Sequence, residues 1–322
     1  MGITMLPIQA SVLLLTYNQE GFVQEALQSL LAQDYDNLEI VVSDDGSTDN
    51  TWLIIQKMAL EYKGSKKIIL NRNDLNLGIV GNYNKAYLLS SGDLIFTAAG
   101  DDISLPTRCS ACIQYWLSFE GKPDLIATDG YDMNTNGDVL GEKLTDSLDD
   151  WNLLRWSERR PFMFGASHMM TRRLIGLRLL SCRLAVEDQN FLVRALMMGG
   201  ARRLPLLLIK HRRGGFSQRK TRWTYELKKS AMIKSSQDAL YEIDEISKDA
   251  KLLNIEMEYL LERQRVLYTY VLSIFSCSGV FEKIKMTVKY NNLSLSKRLK
   301  FFSFASLPHF YSFIFLLKIF VK

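Results

Sequence analysis

Three short apolar runs, each ending in a polar tip that carries carboxylates, constrain this chain more than any other feature. Ser11-Val12-Leu13-Leu14-Leu15 runs into Thr16-Tyr17-Asn18-Gln19-Glu20. Leu38-Glu39-Ile40-Val41-Val42 ends in Ser43-Asp44-Asp45-Gly46-Ser47-Thr48-Asp49. Asp93-Leu94-Ile95-Phe96-Thr97 ends in Ala98-Ala99-Gly100-Asp101-Asp102. Apolar runs this short read as strands buried on both faces. In an open parallel sheet the C-terminal ends of such strands line one crevice, and ligands bind there. Several carboxylates and one aromatic in that crevice suit a divalent cation, a diphosphate and a base to stack.

Helical spacing fills the gaps between these runs. Residues 21–33 carry a stripe of Phe22, Val23, Ala26, Leu27, Leu30 and Leu31, and residues 48–63 repeat it with Trp52, Ile55, Ala59 and Tyr62. A short strand is expected at 66–70 and a helix at 79–90, ended by Ser91-Gly92. Such alternation predicts an α/β fold, Rossmann-like, with a mainly parallel sheet and helices on both faces. After Asp102 the pattern loosens. A helix at 106–119, strands at 124–128 and 162–170, a helix at 187–198 and a strand at 203–210 are expected. Asn134-Thr135-Asn136-Gly137 reads as a hairpin tip.

With 322 residues and 37.0 kDa, the chain has room for one large α/β domain, 1–220, and an extension. Helical patterns at about 223–247 and 249–276 place a helical segment over 221–293. Residues 294–322 form a tail in which Lys297, Arg298 and Lys300 precede Phe301, Phe302, Phe304, Phe310, Tyr311, Phe313, Phe315 and Phe320. It is apolar for roughly 20 residues, near the length of a membrane span. Pro308-His309 interrupts it and Lys318 and Lys322 end it, which favours a helix lying in the membrane interface. The alternative is that the tail packs on the protein's own core or on a second subunit. The net charge of +5 suits diphosphates and anionic membranes and is too weak to argue for nucleic acid. Of the four cysteines, Cys109 and Cys112 form a CxxC inside a helical pattern with no second such pair, so buried thiols are expected rather than a metal site. No cationic stretch precedes an apolar one at the N-terminus, so no signal peptide is expected.

Taken with the Asn76-Leu77-Gly78 turn, Gly81-Asn82-Tyr83-Asn84 and Glu187-Asp188, the three tips resemble, in order and spacing, the inverting glycosyltransferase family 2, which has the GT-A fold. The resemblance covers roughly residues 9–217 and rests on several pieces in sequence rather than on any one motif. It implies a nucleotide-sugar donor. Tyr17 offers a face to a base, Thr16 its backbone groups, and Asp44 an acceptor for a ring N–H. Asn18, Glu20, Asp45, Asn84 and Gly100 complete the implied nucleotide set, although Asp45 and Ser47 also suit a helix cap and Asp49 suits capping best. Asp101, and after it Asp102, are the implied ligands for Mn²⁺ or Mg²⁺. Here the chain departs from the family's commonest pattern: Ala99 stands where an aspartate two residues before the metal ligand is usual.

The family's catalytic base falls on Asp188, with Glu187 as the alternative; a helix N-terminus keeps a carboxylate ionised, and two acids there are also ordinary dipole partners. His211-Arg212-Arg213-Gly214-Gly215-Phe216-Ser217 resembles the family's mobile basic loop over the diphosphate, so His211, Arg212 and Arg213 are its expected contacts. His168 and His309 have no assigned role. The implied activity is metal-dependent, inverting transfer of a sugar, most readily from a UDP donor. The acceptor is a glycan, lipid-linked as in bacterial surface polysaccharide synthesis. The expected location is the cytoplasmic face of the inner membrane, held peripherally by the tail. Two rivals stand beside it. A non-catalytic nucleotide-sugar-binding or scaffold relative would explain Ala99. A nucleotidyltransferase would need a glycine-rich basic loop where Thr16–Glu20 stands.

Overall fold

The structure, a computed structural model, describes residues 8–213 and 224–312. It divides into two compact units, Met1–Gln218 and Arg219–Lys322. Residues 1–7, on which the signal-peptide reading rests, lie outside the described residues. So do Gly214–Ser217 of the basic loop and Phe313, Phe315, Lys318, Phe320 and Lys322 of the tail.

The first unit opens with β1 (Ala10–Thr16), α1 (Val23–Leu31), β2 (Leu38–Asp44), α2 (Thr51–Glu61), β3 (Lys67–Arg72), α3 (Gly78–Leu89) and β4 (Leu94–Ala99). It continues with β5 (Ile103–Ser104), α4 (Arg108–Ser118), β6 (Leu125–Met133), β7 (Val139–Lys143) and α5 (Leu153–Glu158). β8 (His168–Thr171), α6 (Arg172–Gly176), α7 (Asp188–Met197) and β9 (Ala201–Arg212) complete it. The strands form one sheet in the order β3-β2-β1-β4-β8-β6-β9-β5, with β7 paired to β6. β3, β2, β1 and β4 are mutually parallel, as the alternation predicts. The second half is mixed: β8 is antiparallel to β4 and β6, β9 is parallel to β6, and β5 is antiparallel to β9.

Burial explains the strands. β2 is buried along its whole length and β1 at all but Leu15, whereas β3, at the sheet edge, is only partly covered. α1 packs Val23, Ala26, Leu27 and Leu30 onto the sheet beside Val12, Leu14 and Phe96. Cys109 and Cys112 face the same core, where burial pushes both thiols up to about 12. They are inert core residues, as expected.

The chain visits β2 and β3 on one side of β1 and then returns to β4 on the other, so the switch point of the sheet lies between β1 and β4. Register sets Thr16 beside Asp44 and Leu15 beside Ala99, bringing the three tips to one edge. At the far side Asp132 pairs with His211 and Met133 with Arg212.

Residues 162–170, read as one strand, are not one. A 3₁₀ turn occupies Gly165–Ser167 and only His168 onward joins the sheet. The cause is Arg108, which is 1% exposed. Its guanidinium donates to the carbonyls of Thr97 (2.9 Å), Ala166 (2.5 Å) and His168 (3.3 Å), so a side chain takes acceptors that a strand ladder would use.

In the second unit the helices are α8 (Tyr225–Leu252), α9 (Glu258–Ser276), α10 (Val280–Lys289) and α11 (Leu295–Ser306). α8 runs past the expected break at 248 and ends where Asn254 takes a left-handed φ of 55°. Tyr270, Ile274, Leu293 and Ala305 form a small core with Tyr290, Phe301 and Phe302 against it, and Phe304 stacks on Tyr225 at 5.1 Å. The first part of the aromatic tail is therefore turned inward, the packing alternative above. Among the described residues no helix is long and apolar enough to cross a membrane.

Candidate active site

At the switch point the tips of β1 and β2 are tied to each other. Asp44 is fully enclosed; its carboxylate accepts from Thr16 Oγ1 (3.1 Å), Ser47 Oγ and the Ser47 N–H (3.0 Å), with Arg72 at 3.6 Å. Asp45 accepts from the Leu77 and Gly78 N–H groups at 2.8 and 2.9 Å and from Asn73 Nδ2 at 2.9 Å. It thereby closes the N-terminus of α3 from a distant loop, rather than that of the helix that follows it in sequence. Asn18, at a left-handed φ of 51°, accepts from the Thr48 N–H at 2.8 Å, and Glu20 accepts from the backbone and side chain of Asn50. Asp49 accepts from the N–H groups of Thr51 and Glu20, the capping role expected of it. The Thr16 carbonyl takes the Asp45 N–H at 2.9 Å. Tyr17 is half-buried at this edge.

Gly100 is required by close approach. A Cβ there would come within 2.4 Å of Gln19 Oε1 and 2.7 Å of Thr16 Cγ2. That contact joins the β1 tip to the acidic pair Asp101-Asp102. Asn84 lies deeper, donating to the Leu180 carbonyl at 2.7 Å, while its own Oδ1 is buried without a partner. Its link is to the loop before α7 rather than to the β1 and β2 tips.

Asp101 and Asp102 sit side by side at the end of β4. Burial, and then repulsion from Asp101, push Asp102 up to about 8. Burial also raises Asp101, against the charge of Arg212 and a hydrogen bond from Gln19. Two enclosed neighbouring carboxylates of this kind are relieved by a cation. Hard carboxylate oxygens fit Mg²⁺ or Mn²⁺, which take one or two carboxylates and complete their shells with phosphate and water. No cluster of three or more His, Cys, Asp or Glu side chains able to hold a metal occurs among the described residues. Asp101 and Asp102 are the carboxylates at this edge that could hold such a cation.

Arg212 corrects the reading of the basic loop. It belongs to β9, is 4% exposed, and its guanidinium lies over the Phe22 ring at 4.6 Å. Its backbone N–H donates to Asp102 at 2.9 Å. Its side chain donates to the carbonyls of Asp101, Asn134 and Thr135 and to Glu25 Oε2 at 2.7 Å. Four of the guanidinium's five N–H donors go to these acceptors, which clamps the acidic pair.

His211 and Arg213 meet a group that sequence reading missed. Lys143 Nζ lies 3.2 Å from His211 Nδ1 and 3.4 Å from Asp132 Oδ1, and over the Phe164 ring at 5.2 Å. Burial first, then the Lys143 charge, hold His211 below its ordinary value, so its imidazole is neutral at pH 7. Burial pushes Asp132 up, but the Arg213 hydrogen bond and the charges of Lys143 and Arg213 outweigh it and keep the carboxylate ionised. Asp132 and Lys143 lie in no motif. Only the register of β6 with β7 and β9 brings them to His211.

Phe164 links this cluster to the last predicted pair. Its ring packs edge-on against His211 at 5.7 Å, and the next residue, Gly165, lies near Glu187. A Cβ on Gly165 would lie 3.1 Å from Glu187 Oε1. Glu187 is 6% exposed; burial, then repulsion from Asp188, push it up to about 7. Asp188 is the first residue of α7, half-buried, and accepts the Gln189 N–H at 2.6 Å. His168, left without a role, is wholly buried in β8, where burial drops it to about 3 and leaves it neutral.

A crevice at the switch point of a half-parallel sheet, walled by a mixed half that carries an acidic pair, defines an α/β protein of the GT-A class. Solved structures agree on the fold. S. aureus TarS 1–349 in complex with UDP-GlcNAc superposes with a TM-score of 0.58 at 16% identity, over 94% of this chain and 91% of that one. Mannosyltransferase PcManGT from Pyrobaculum calidifontis, in complex with GDP-Man and Mn²⁺, gives 0.53 at 13% identity, over 94% and 87%.

The chain belongs to glycosyl transferase family 2, whose model matches residues 11–177, just over half of it. Among curated relatives, the Escherichia coli UDP-Glc:alpha-D-GlcNAc-diphosphoundecaprenol beta-1,3-glucosyltransferase WfaP is 32% identical over 105 residues, 33% of this chain and 40% of WfaP. The matched segment spans between 32% and 40% of the length of the first such relatives.

Proposed function

We propose that the chain transfers a sugar from a nucleoside diphosphate donor, uridine-linked, to a hydroxyl of a lipid-linked glycan, with inversion at the anomeric carbon. The donor class is supported by family membership and by the nucleotide-sugar complexes of TarS and PcManGT. The lipid-linked acceptor is supported by the name of WfaP. The observation that carries the site assignment is the enclosed Asp101-Asp102 pair, clamped by Arg212 beside the β1 tip. Asp101, then Asp102, would hold Mn²⁺ or Mg²⁺. An ion held there would supply positive charge to the leaving diphosphate.

The chain's own residues do the rest. Tyr17 packs on the base at the β1 edge. Lys143, His211 and Arg213 set fixed donors on the opposite wall, where charge gathers as the glycosidic bond breaks. Asp188 accepts the proton of the attacking hydroxyl at the mouth of α7. Glu187 carries the larger share of the pair's proton because it is enclosed, which leaves the outer carboxylate as the base. The reaction takes place on the cytoplasmic face of the bacterial inner membrane, in surface-polysaccharide synthesis.

Thermal unfolding against a panel of nucleotide sugars, with and without Mn²⁺, tests this reading. A ligand at about 100 times its Kd stabilises by about 2.7 kcal/mol. A shift with one uridine-linked sugar that requires the metal is the expected result. No shift with any nucleotide would sink the transferase reading and favour a scaffold.

A further inference from the structure

The second unit contains a helix mounted the wrong way round. In an ordinary surface helix the apolar stripe faces the core and the polar side faces water. α10 has a clear apolar stripe, yet none of its residues is buried. Phe281 is 89% exposed, Val288 65%, Val280 53% and Ile284 44%. At about 100° per residue these four fall within an arc of about 100° on one side of the helix. The inward side makes polar contacts. Lys283 Nζ donates to the Ala305 carbonyl at 2.8 Å, Thr287 Oγ1 meets Tyr270 Oη at 3.1 Å, and Arg298 donates to the Thr287 carbonyl at 2.9 Å. These bonds hold α10 to its neighbours with its apolar face outward.

Charge around that face has one sign. From 280 to 300 the chain carries six basic residues and a single acid, Glu282. Glu282 is spent on the N–H groups of Ser278 and Gly279 at the start of α10. Lys285 stands about 40° past the edge of the apolar arc and Lys289 about 80° past it. Lys297 and Lys300 are exposed on α11 beside Leu295 (59%) and Leu299 (50%). Among the described residues no carboxylate pairs with any of these four lysines. A second copy apposed to this face would bring like charges together, whereas an anionic lipid surface answers both the charge and the apolar arc.

We propose that α10 is a membrane-docking helix. It lies in the interface with Phe281, Ile284 and Val288 among the acyl chains and its lysines at the lipid phosphates. This moves the membrane contact away from Phe301, Phe302 and Phe304, which pack within the second unit. It does not rest on the transferase reading, because docking needs no donor, and the nucleotide-sugar shift described above tests that reading separately.

Co-sedimentation of the full chain with vesicles tests the proposal. One set contains phosphatidylglycerol mixed with phosphatidylcholine, the other phosphatidylcholine alone. The wild type should pellet with the anionic vesicles and much less with the neutral ones, and added salt should release it. Phe281→Glu/Val288→Glu should weaken binding by at least about tenfold. Lys285→Glu/Lys289→Glu should do the same on anionic vesicles only. Both pairs are exposed, so an unchanged melting temperature marks a folded variant. Wild-type affinity in both variants would overturn the proposal, as would a wild type that binds neither vesicle. A wild-type dimer in light scattering that Phe281→Glu/Val288→Glu dissociates would also overturn it, by assigning the face to self-association.

Discussion

The polar tips of β1 and β2 and the three acids Asp101, Asp102 and Glu187 hold their charge in opposite ways. Around the tips of β1 and β2, Asp44, Asp45, Asn18, Glu20 and Asp49 each accept hydrogen bonds from their own or a neighbouring loop. Their charge is absorbed in building the crevice. Beyond β4, burial raises Asp101, and Asp102 and Glu187 are enclosed and pushed up to about 8 and about 7. One group is a satisfied frame; the other stores electrostatic tension that a cation, a phosphate or a proton can release. Perturbed carboxylates of this second kind are candidates for the chemistry.

The sharpest break in that comparison comes from the tense group. Asp188→Asn should cut turnover by about 10²–10⁴ while leaving the nucleotide-induced melting shift in place, since a general base contributes about that much. Retained turnover would remove Asp188 from the mechanism. In the satisfied group the damage should fall on folding instead. Asp45→Ala strands the Leu77 and Gly78 N–H groups and should cost about 2–3 kcal/mol in urea unfolding. A cost near zero would mean that the loops hold together without it.

A smaller effect is expected at Tyr17, where removal of the ring should weaken nucleotide binding by about 1–2 kcal/mol in titration calorimetry. An unchanged Kd would move the base elsewhere.

The subtlest difference is one of pH. Asp102 is raised from 3.8 to about 8, so the folded state holds a proton that the unfolded chain has lost. The stability linked to that proton is complete below about pH 4 and disappears as pH rises toward 8. Glu187 acts in the same sense between 4.5 and about 7. Asp102→Asn should therefore melt higher than the wild type at pH 8, with the gap closing toward pH 4. Mn²⁺ should stabilise the wild type more than the variant. A gap that widens in acid would reverse the assignment.

Legibility followed the range of the interaction. The strands of the parallel half, Asp49 as a cap, the Asn134–Gly137 hairpin tip and the buried CxxC were all readable, because strand burial, capping and turns depend on neighbours in sequence. The basic loop was readable only in part. β9 runs on through His211 and Arg212, which were read as loop, and strand alternation turns Arg212 into the core while His211 faces Lys143. The break in residues 162–170 had no local signal, since Arg108 causes it from more than fifty residues away.

By itself, the order of apolar runs and polar tips determined the α/β class, the crevice edge and most of the candidate carboxylates, because alternation and short-range capping are encoded in adjacent residues. Tertiary structure alone decided the rest. Register brought Lys143 and Asp132 to His211, Arg212 was committed to clamping the acidic pair, and α10 was turned with its apolar side outward. Each of these depends on groups far apart in the chain meeting at one point, and on burial there deciding which charges are satisfied.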